Sequence, residues 1–436
     1  MMLPSRHSGL LRAGSRSVLP AVRHAASSPA IGQKIVCGPK VYAPVKILER
    51  PPHMVPPATW HLHPDLSSAE AKGPLSRVQL ESFFEDGYLF LSEFYDAESL
   101  RLVQEDVERM IDNLAHRLLS AGKIHGLYGD LDWTSRLLRM RDDFPDAPVV
   151  LIKGGILPQA LQKMFSDSRI LDIAAQLGVS PDMALNPAWN LRGKMPQHEE
   201  TVVPWHQDNS YWEPRVWDEC VLTVWVALVD ATPENGCMQM VRGAHKSGRT
   251  ATHTIGTTTS TWYTELTEEA VAKELLAKEK LEEGADIVTI PAKAGSVLIF
   301  PGTTPHRSLN SSSANIRWSC DWRLHRKTAQ RPGKTELDWF YGLKDALPLR
   351  DGQNLDFQPE WASWATQERT AAQDEGLGLD AKTQQEAFDP VIVGPWMDLW
   401  DLETDVRGIP NQHVERYLQT PEETRNVDAY IKAGNW

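Results

Sequence analysis

Apolar positions between Ser76 and Ser120 recur at helical spacing. The stretch Ser76 to Gly87 reads as a short amphipathic helix stopped by its glycine, and Tyr88 to Leu91 as a strand. A longer helix is expected from about Ala97 to Ser120, with Leu100, Val103, Val107, Met110, Ile111, Leu114 and Leu118 along one face and Asp96 as its N-cap. From about Val149 to Leu324 the texture changes to short apolar runs rich in β-branched residues, such as Val221 to Leu228 and Ser296 to Phe300, punctuated by Gly and Pro. Many short strands of this kind predict a mainly β sandwich or barrel. One stretch, Glu268 to Glu283, returns to helical composition with Thr267 as its cap. It sits in an insertion, about 249–293, that reads as a lid or decoration. Beyond about Lys327 the chain is rich in Pro and Trp, including Trp339, Trp361, Trp364, Trp396, Trp400 and Trp436. These tryptophans are expected to pack a C-terminal extension (326–436) onto the core or to fill the interface of a homo-oligomer.

The first residues follow a different rule. No Asp or Glu precedes Glu49, while Arg6, Arg12, Arg16 and Arg23 alternate with Ser5, Ser8, Ser15 and Ser17 and with apolar residues. Residues 1–48 therefore look like a mitochondrial transit peptide. The alternative is a basic tail on a cytoplasmic protein. The C-terminus, Ala433 to Trp436, is not a peroxisomal SKL-type signal. Residues 49–75, with Pro51-Pro52 and Pro56-Pro57, are expected to run extended over the surface.

Charge narrows the partners. A net charge of −13 with no Lys/Arg run in the body of the chain argues against nucleic acid, although a local pocket can still be positive. No apolar run is long enough for a membrane span. The four cysteines, Cys37, Cys220, Cys237 and Cys320, form no CxxC pair, which disfavours a disulfide framework or a structural zinc site.

The chemistry is carried by a few polar positions in the β region. In Trp205-His206-Gln207-Asp208, two residues apart on one strand, His206 and Asp208 share a face and can chelate one cation. A strand over Gly295 to Phe300 with a Pro301-Gly302 turn delivers His306 as a third ligand. Two histidines and one carboxylate occupy one face of an octahedral metal and leave positions open, the arrangement of non-haem Fe(II) oxygenases, in which a chelating oxoacid and O₂ take the open sites. Arg317, eleven residues after His306, is placed to anchor the distal carboxylate of 2-oxoglutarate with its planar fork, and Ser308 to add a hydroxyl. Asn190, Arg192 and Lys194 alternate along one strand face and are candidates for the cosubstrate, as is Lys153. Tyr211, Trp212, Trp262 and Tyr263 are candidate substrate contacts. His245 and His253 read as structural, and Gln207 as facing away from the metal.

These residues resemble the phytanoyl-CoA dioxygenase family. The HxD…His…Arg set is joined by Asn235 to Lys246 (NGCMQMVRGAHK), similar to the family's "NGCL…PGTHK" segment, by Phe83 to Tyr88 (FFEDGY), and by His306 to Ser311 (HRSLNS). The likeness covers about 76–325; Arg242 stands where the family often has Pro. It implies a double-stranded β-helix, or jelly roll, with N-terminal helices. It also implies oxidative decarboxylation of 2-oxoglutarate to succinate and CO₂, coupled to oxidation of a small-molecule or acyl substrate, and it makes Trp225 a cosubstrate-pocket residue. A halogenase of this scaffold lacks the carboxylate, so Asp208 argues against it. A non-catalytic cupin-like binding protein has no use for Arg317. A CoA thioester would need cations for its phosphates; Arg242, Lys246 and Arg249, or Arg323, Arg326 and Lys327, are the clusters available.

Overall fold

Antiparallel pairing of β1 (Ile35–Cys37) with β2 (Lys40–Tyr42) makes a small N-terminal hairpin. The computed structural model describes residues 35–37, 40–42, 58, 73–153, 157–198, 201–327, 346–354, 356–363 and 387–421. Most of the expected leader and Pro-containing segment, and Trp339, Trp364 and Trp436, lie outside the described residues.

Ser76 caps α1 (Arg77–Asp86) through a reciprocal box with Gln79, and Gly87 ends the helix in the left-handed region at φ 86°. A side chain there would also strike the His245 ring, so this turn requires glycine. The chain then enters β3 (Leu89–Leu91) and α2 (Ala97–Ser120), whose N-cap Asp96 accepts from Ser99 N at 2.8 Å. Four short helices follow: α3 (Arg136–Asp143), α4 (Ala147–Lys153), α5 (Gln159–Phe165) and α6 (Ser168–Gln176). The expectation of strands from Val149 onward is thus corrected. Val149 to Ile152 is helical, because a four-residue apolar run fits a buried helix turn as well as a strand and tertiary packing decides.

The β region begins at β4 (Met183–Leu185) and β5 (Asn190–Lys194), continues with β6 (Leu222–Ala227) and β7 (Met238–Val241), and passes through the short β8 (Thr254–Ile255) and β9 (Thr264–Glu265). It then adds β10 (Ile287–Ile290), β11 (Val297–Pro301), β12 (His306–Ser308), β13 (Arg317–Arg326) and β14 (Leu347–Arg350). The larger sheet runs β14-β4-β13-β6-β11-β3, with β5 also paired to β13; the smaller runs β10-β7-β12. Together they form the jelly-roll core.

Period-two alternation on β13 divides the molecule. Trp318, Cys320, Trp322 and Leu324 join the helices in one apolar core, where Trp318 stacks on Trp133 at 5.7 Å and Trp322 on Phe165 at 4.4 Å. Deleting either buried ring would cost about 3–5 kcal/mol. The intervening Arg317, Ser319, Asp321 and Arg323 are equally buried and face the other way, toward the smaller sheet. The helices therefore seal one face of the larger sheet with hydrocarbon, and its other face is free to carry charge.

The insertion is shorter and less helical than its composition predicts. Only Glu268–Ala270 is α-helical, followed by a π turn over Val271–Leu275, and Ala277 sits at φ 54°. Val271 and Leu275 are drawn into a cluster with Trp205, Val241 and Ile287, and packing of this face overrides the propensity of the charged remainder. Ile287–Ile290 pairs with β7 and so belongs to the smaller sheet rather than to the insertion.

After β14 the described chain resumes at residue 387 (346–354 and 356–363 are described before it) and returns to the core. Asp401–Leu402 pairs in parallel with β8, and Gln412–Gln419 forms a helix capped by Asn411. Trp400 stacks on Trp217 and donates from Nε1 to Ser210 O at 2.8 Å; Trp396 donates to Trp262 O at 3.1 Å. These two tryptophans fasten the C-terminal segment to the insertion and to the residues that follow Asp208.

Candidate active site

His206 and His306 are joined by reciprocal backbone hydrogen bonds of 3.0 and 2.9 Å across an isolated bridge. His206 is not in a continuous strand with Asp208, as the HxD spacing suggested: Asp208 opens a 3₁₀ turn (Asp208–Tyr211). Gln207 between them is extended, with φ −110° and ψ 136°, so both side chains still emerge on one side. The ligand atoms of His206, Asp208 and His306 lie within 4.8 Å of one another, and all three residues are buried.

Each histidine is oriented for coordination by its own backbone. His206 Nδ1 is 2.9 Å from Pro204 O and His306 Nδ1 is 3.0 Å from Thr304 O. A carbonyl only accepts, so each ring carries its proton on Nδ1 and presents an Nε2 lone pair. Burial, reinforced by neighbouring His206, pushes the His306 imidazole down to about 3, which leaves it neutral. Asp208 Oδ1 is 3.4 Å from His206 Nε2 and 3.8 Å from His306 Nε2. Its other oxygen, Oδ2, accepts from Thr223 Oγ1 and from Arg323 Nε and Nη2 at 3.1 and 2.9 Å. Burial alone would raise this carboxyl, but the Arg323 guanidinium holds it well below the usual carboxylate range. One oxygen is thus committed to the protein and the other points at the two imidazole nitrogens. Two imidazole nitrogens and one carboxylate oxygen fit a divalent first-row metal with open positions.

The next strand positions form a second, cationic compartment. Arg317 donates from Nη1 to Ser319 Oγ at 2.5 Å and from Nη2 to Gly236 O at 2.9 Å, while its buried Nε has no partner among the described residues. Across the β5–β13 register, Lys194 stands opposite Arg317 and donates to Ser308 Oγ at 2.8 Å and Thr201 O at 3.1 Å. Among the described residues no carboxylate hydrogen-bonds to either cation. Burial, with Arg192 next, brings the Arg317 guanidinium down to about 10; burial, then Arg317 and Arg192, depress Lys194 strongly. Two buried cations without counter-ions are costly unless an anion completes the site. Gly236, at φ 89°, keeps the channel open, since a Cβ there would meet the Lys194 stem at 2.5 Å. The ring of Trp225 lies 5.6 Å from the Arg317 guanidinium. The cavity lined by Trp225, His206, His306, Ser308 and Arg317 thus fits a dicarboxylate that reaches from metal to guanidinium.

The remaining candidates are placed as follows. Asn190 Nδ2 and Arg192 Nε are both bound to Asp321, at 2.8 and 2.5 Å, rather than directed solely at the oxoacid. Lys153 donates to Asp389 O and Val391 O and ties down the C-terminal segment, so it is not an oxoacid ligand. Tyr211, Trp212, Trp262 and Tyr263 line a second cavity that opens onto His206 and Asp208. Gln207 turns away from the metal and clamps the insertion, donating to Arg249 O and accepting from Ala251 N. His253 accepts from Gln207 N, and burial lowers its ring to about 3.

Sequence reasoning missed Thr223, Ser319 and Asp321, and read Arg323 as one of a basic cluster available to the phosphates of a CoA thioester. Asp321 binds Asn190, Arg192 and Arg323 together, and Arg323 passes that restraint on to Asp208. The signal was present: Arg317 to His325 alternates polar and apolar residues without a break.

A jelly roll with this triad and a buried cationic compartment is a non-haem Fe(II) and 2-oxoglutarate-dependent dioxygenase. The phytanoyl-CoA dioxygenase (PhyH) family model matches residues 83–319, more than half of the chain, and the chain belongs to that family. It is 24% identical over 303 residues to a phytanoyl-CoA dioxygenase of Arabidopsis thaliana, covering 64% of this chain and 97% of the relative. It is also 24% identical over 279 residues to phytanoyl-CoA dioxygenase domain-containing protein 1 of Bos taurus, covering 57% and 90%. Among solved structures, EctD from S. alaskensis with 2-oxoglutarate and 5-hydroxyectoine matches at 17% identity and TM-score 0.41, over 64% of this chain and 86% of that one.

Proposed function

We propose that the protein hydroxylates a small-molecule or acyl substrate, consuming 2-oxoglutarate and O₂ and releasing succinate and CO₂. The observation that carries this reading is the pair of buried, carboxylate-free cations Arg317 and Lys194 beside a His-Asp-His triad. A cupin-like binding protein would explain the triad and leave those charges without purpose. In this reading His206, Asp208 and His306 hold the iron, and Arg317, with Lys194 and Ser308, receives the far carboxylate of 2-oxoglutarate. Bound iron supplies the coupling of oxoacid decarboxylation to oxidation of a substrate C–H bond. Trp225 walls the cosubstrate compartment, and the aromatic residues of the insertion and C-terminal segment keep water from the substrate side. Purified protein given Fe(II), 2-oxoglutarate and O₂ should form succinate, and a metabolite extract should then show a product heavier by one oxygen. Absence of succinate under these conditions would refute the reading.

We further propose a mitochondrial location, supported by the acid-free, Arg- and Ser-rich stretch 1–48. A reporter fused to these residues should enter mitochondria and be trimmed. A uniformly cytoplasmic, full-length reporter would leave the basic-tail alternative.

A further inference from the structure

The second cavity combines two features that together select a ligand. Its walls are aromatic, with Trp189, Tyr211, Trp212, Trp262, Tyr263 and Trp396 around a space of about 950 Å³ that includes its open mouth. Aromatic walls alone would suit an organic cation. The charges argue the other way. Arg192 and Arg323 both line this cavity and share Asp321, but Arg323 is also paired with Asp208, so among the described residues Arg192 is the less compensated of the two. Asp321 engages only Nε of Arg192; its two terminal nitrogens make no hydrogen bond among the described residues, and the side chain is 23% exposed. Lys153, also on the wall, is tied to Asp389 at 3.6 Å, which it shares with Arg416, and to two backbone carbonyls, so its ammonium is already engaged.

Among the described residues, the inner face as a whole places Arg192, Arg317, Arg323 and Lys194 against only Asp208 and Asp321. Fe(II) brings two positive charges and 2-oxoglutarate two negative ones, so the loaded site keeps its cationic excess. The opening of this excess toward the aromatic cavity is the Arg192 fork.

We propose that the substrate is an organic carboxylate with an apolar, ring-sized body, its carboxylate held by the terminal nitrogens of Arg192 and its body between the aromatic walls. This rests on the oxygenase reading above. A free acid is favoured over a CoA thioester because most of the cations that would meet the phosphates are already neutralised. Arg242 pairs with Asp86 at 3.3 Å, Lys246 with Glu85, Arg326 with Glu219 at 2.6 Å and Lys327 with Asp351 at 3.7 Å, while Arg323 is buried in the site.

The test uses the full-length protein loaded with Fe(II) and saturating 2-oxoglutarate without oxygen, read by quenching of tryptophan fluorescence. The probe is 3-phenylpropionate, compared with its amide, 2-phenylethylammonium and 3-phenylpropionyl-CoA. The acid should bind at least tenfold more tightly than the amide, and the ammonium and thioester no better than the amide. Arg192→Leu should abolish the acid-over-amide preference and Arg192→Lys should keep part of it, a ratio that a purely structural role would not move. Equal binding of acid and amide, tighter binding of the ammonium or thioester, or an unchanged ratio in Arg192→Leu would overturn the proposal. Succinate formed in air without any probe reports separately on the oxygenase reading, so either idea can fail alone.

Discussion

Replacing His206, Asp208 or His306 by alanine is expected to remove most bound Fe(II) and essentially all turnover while the fold survives. The physical ground is that three protein ligands leave no surplus: each imidazole is committed through Nδ1 to a backbone carbonyl, and Asp208 offers one oxygen to the shared position. The Asp208 substitution needs a second variant, since alanine strands Arg323 without its deeper partner and Thr223 without its acceptor. Asp208→Asn keeps the volume and an acceptor for both, and it should retain a near-normal unfolding midpoint while still losing iron. Iron stoichiometry by metal analysis and unfolding by circular dichroism separate these outcomes. Unchanged iron content in all three alanine variants would show that the metal is held elsewhere.

Arg317 carries the second large effect. Arg317→Ala should weaken 2-oxoglutarate binding at least about 30-fold, because losing one partner of a buried charge pair costs roughly 2–5 kcal/mol. Arg317→Lys should recover little, since a point charge cannot reproduce two parallel donors and lies next to a second ammonium at Lys194. Arg317→Met adds a discriminating measurement. In the unliganded protein it removes a buried cation that has no carboxylate partner, so its thermal midpoint should match or exceed that of the wild type even as the cosubstrate is lost. A structural arginine would show the reverse. Isothermal titration with 2-oxoglutarate and a thermal scan supply both numbers, and wild-type affinity in Arg317→Ala would move the anchor to Lys194.

Local chemistry made much of this protein legible from its residues alone. The helices at Arg77–Asp86 and Ala97–Ser120 carry their own caps, Ser76 and Asp96, and an unbroken apolar stripe, so their ends are set within a few residues of the chain. The candidate metal ligands were legible for a similar reason: an HxD spacing, a distant His after a strand and turn, and an Arg eleven residues on are each short-range patterns. The same short range explains where reading failed. Val149 to Ile152 and Glu268 to Glu283 have compositions that suit more than one backbone, and the packed neighbours chose.

The charge network could not be read in advance, because its meaning lies in pairings between strands. Arg323 reads as one of a basic cluster with Arg326 and Lys327 until β13 is set beside β6 and β5, which puts it against Asp208 and makes Asp321 the shared partner of Arg192 and Asn190. Nor does sequence say that Trp262, Tyr263 and Trp396 meet over one cavity from segments more than a hundred residues apart. Spacing along a chain determines which residues share a face of one element. Only the register between elements, set by burial of the apolar faces, decides which buried charges are neutralised and which are left facing the cavity.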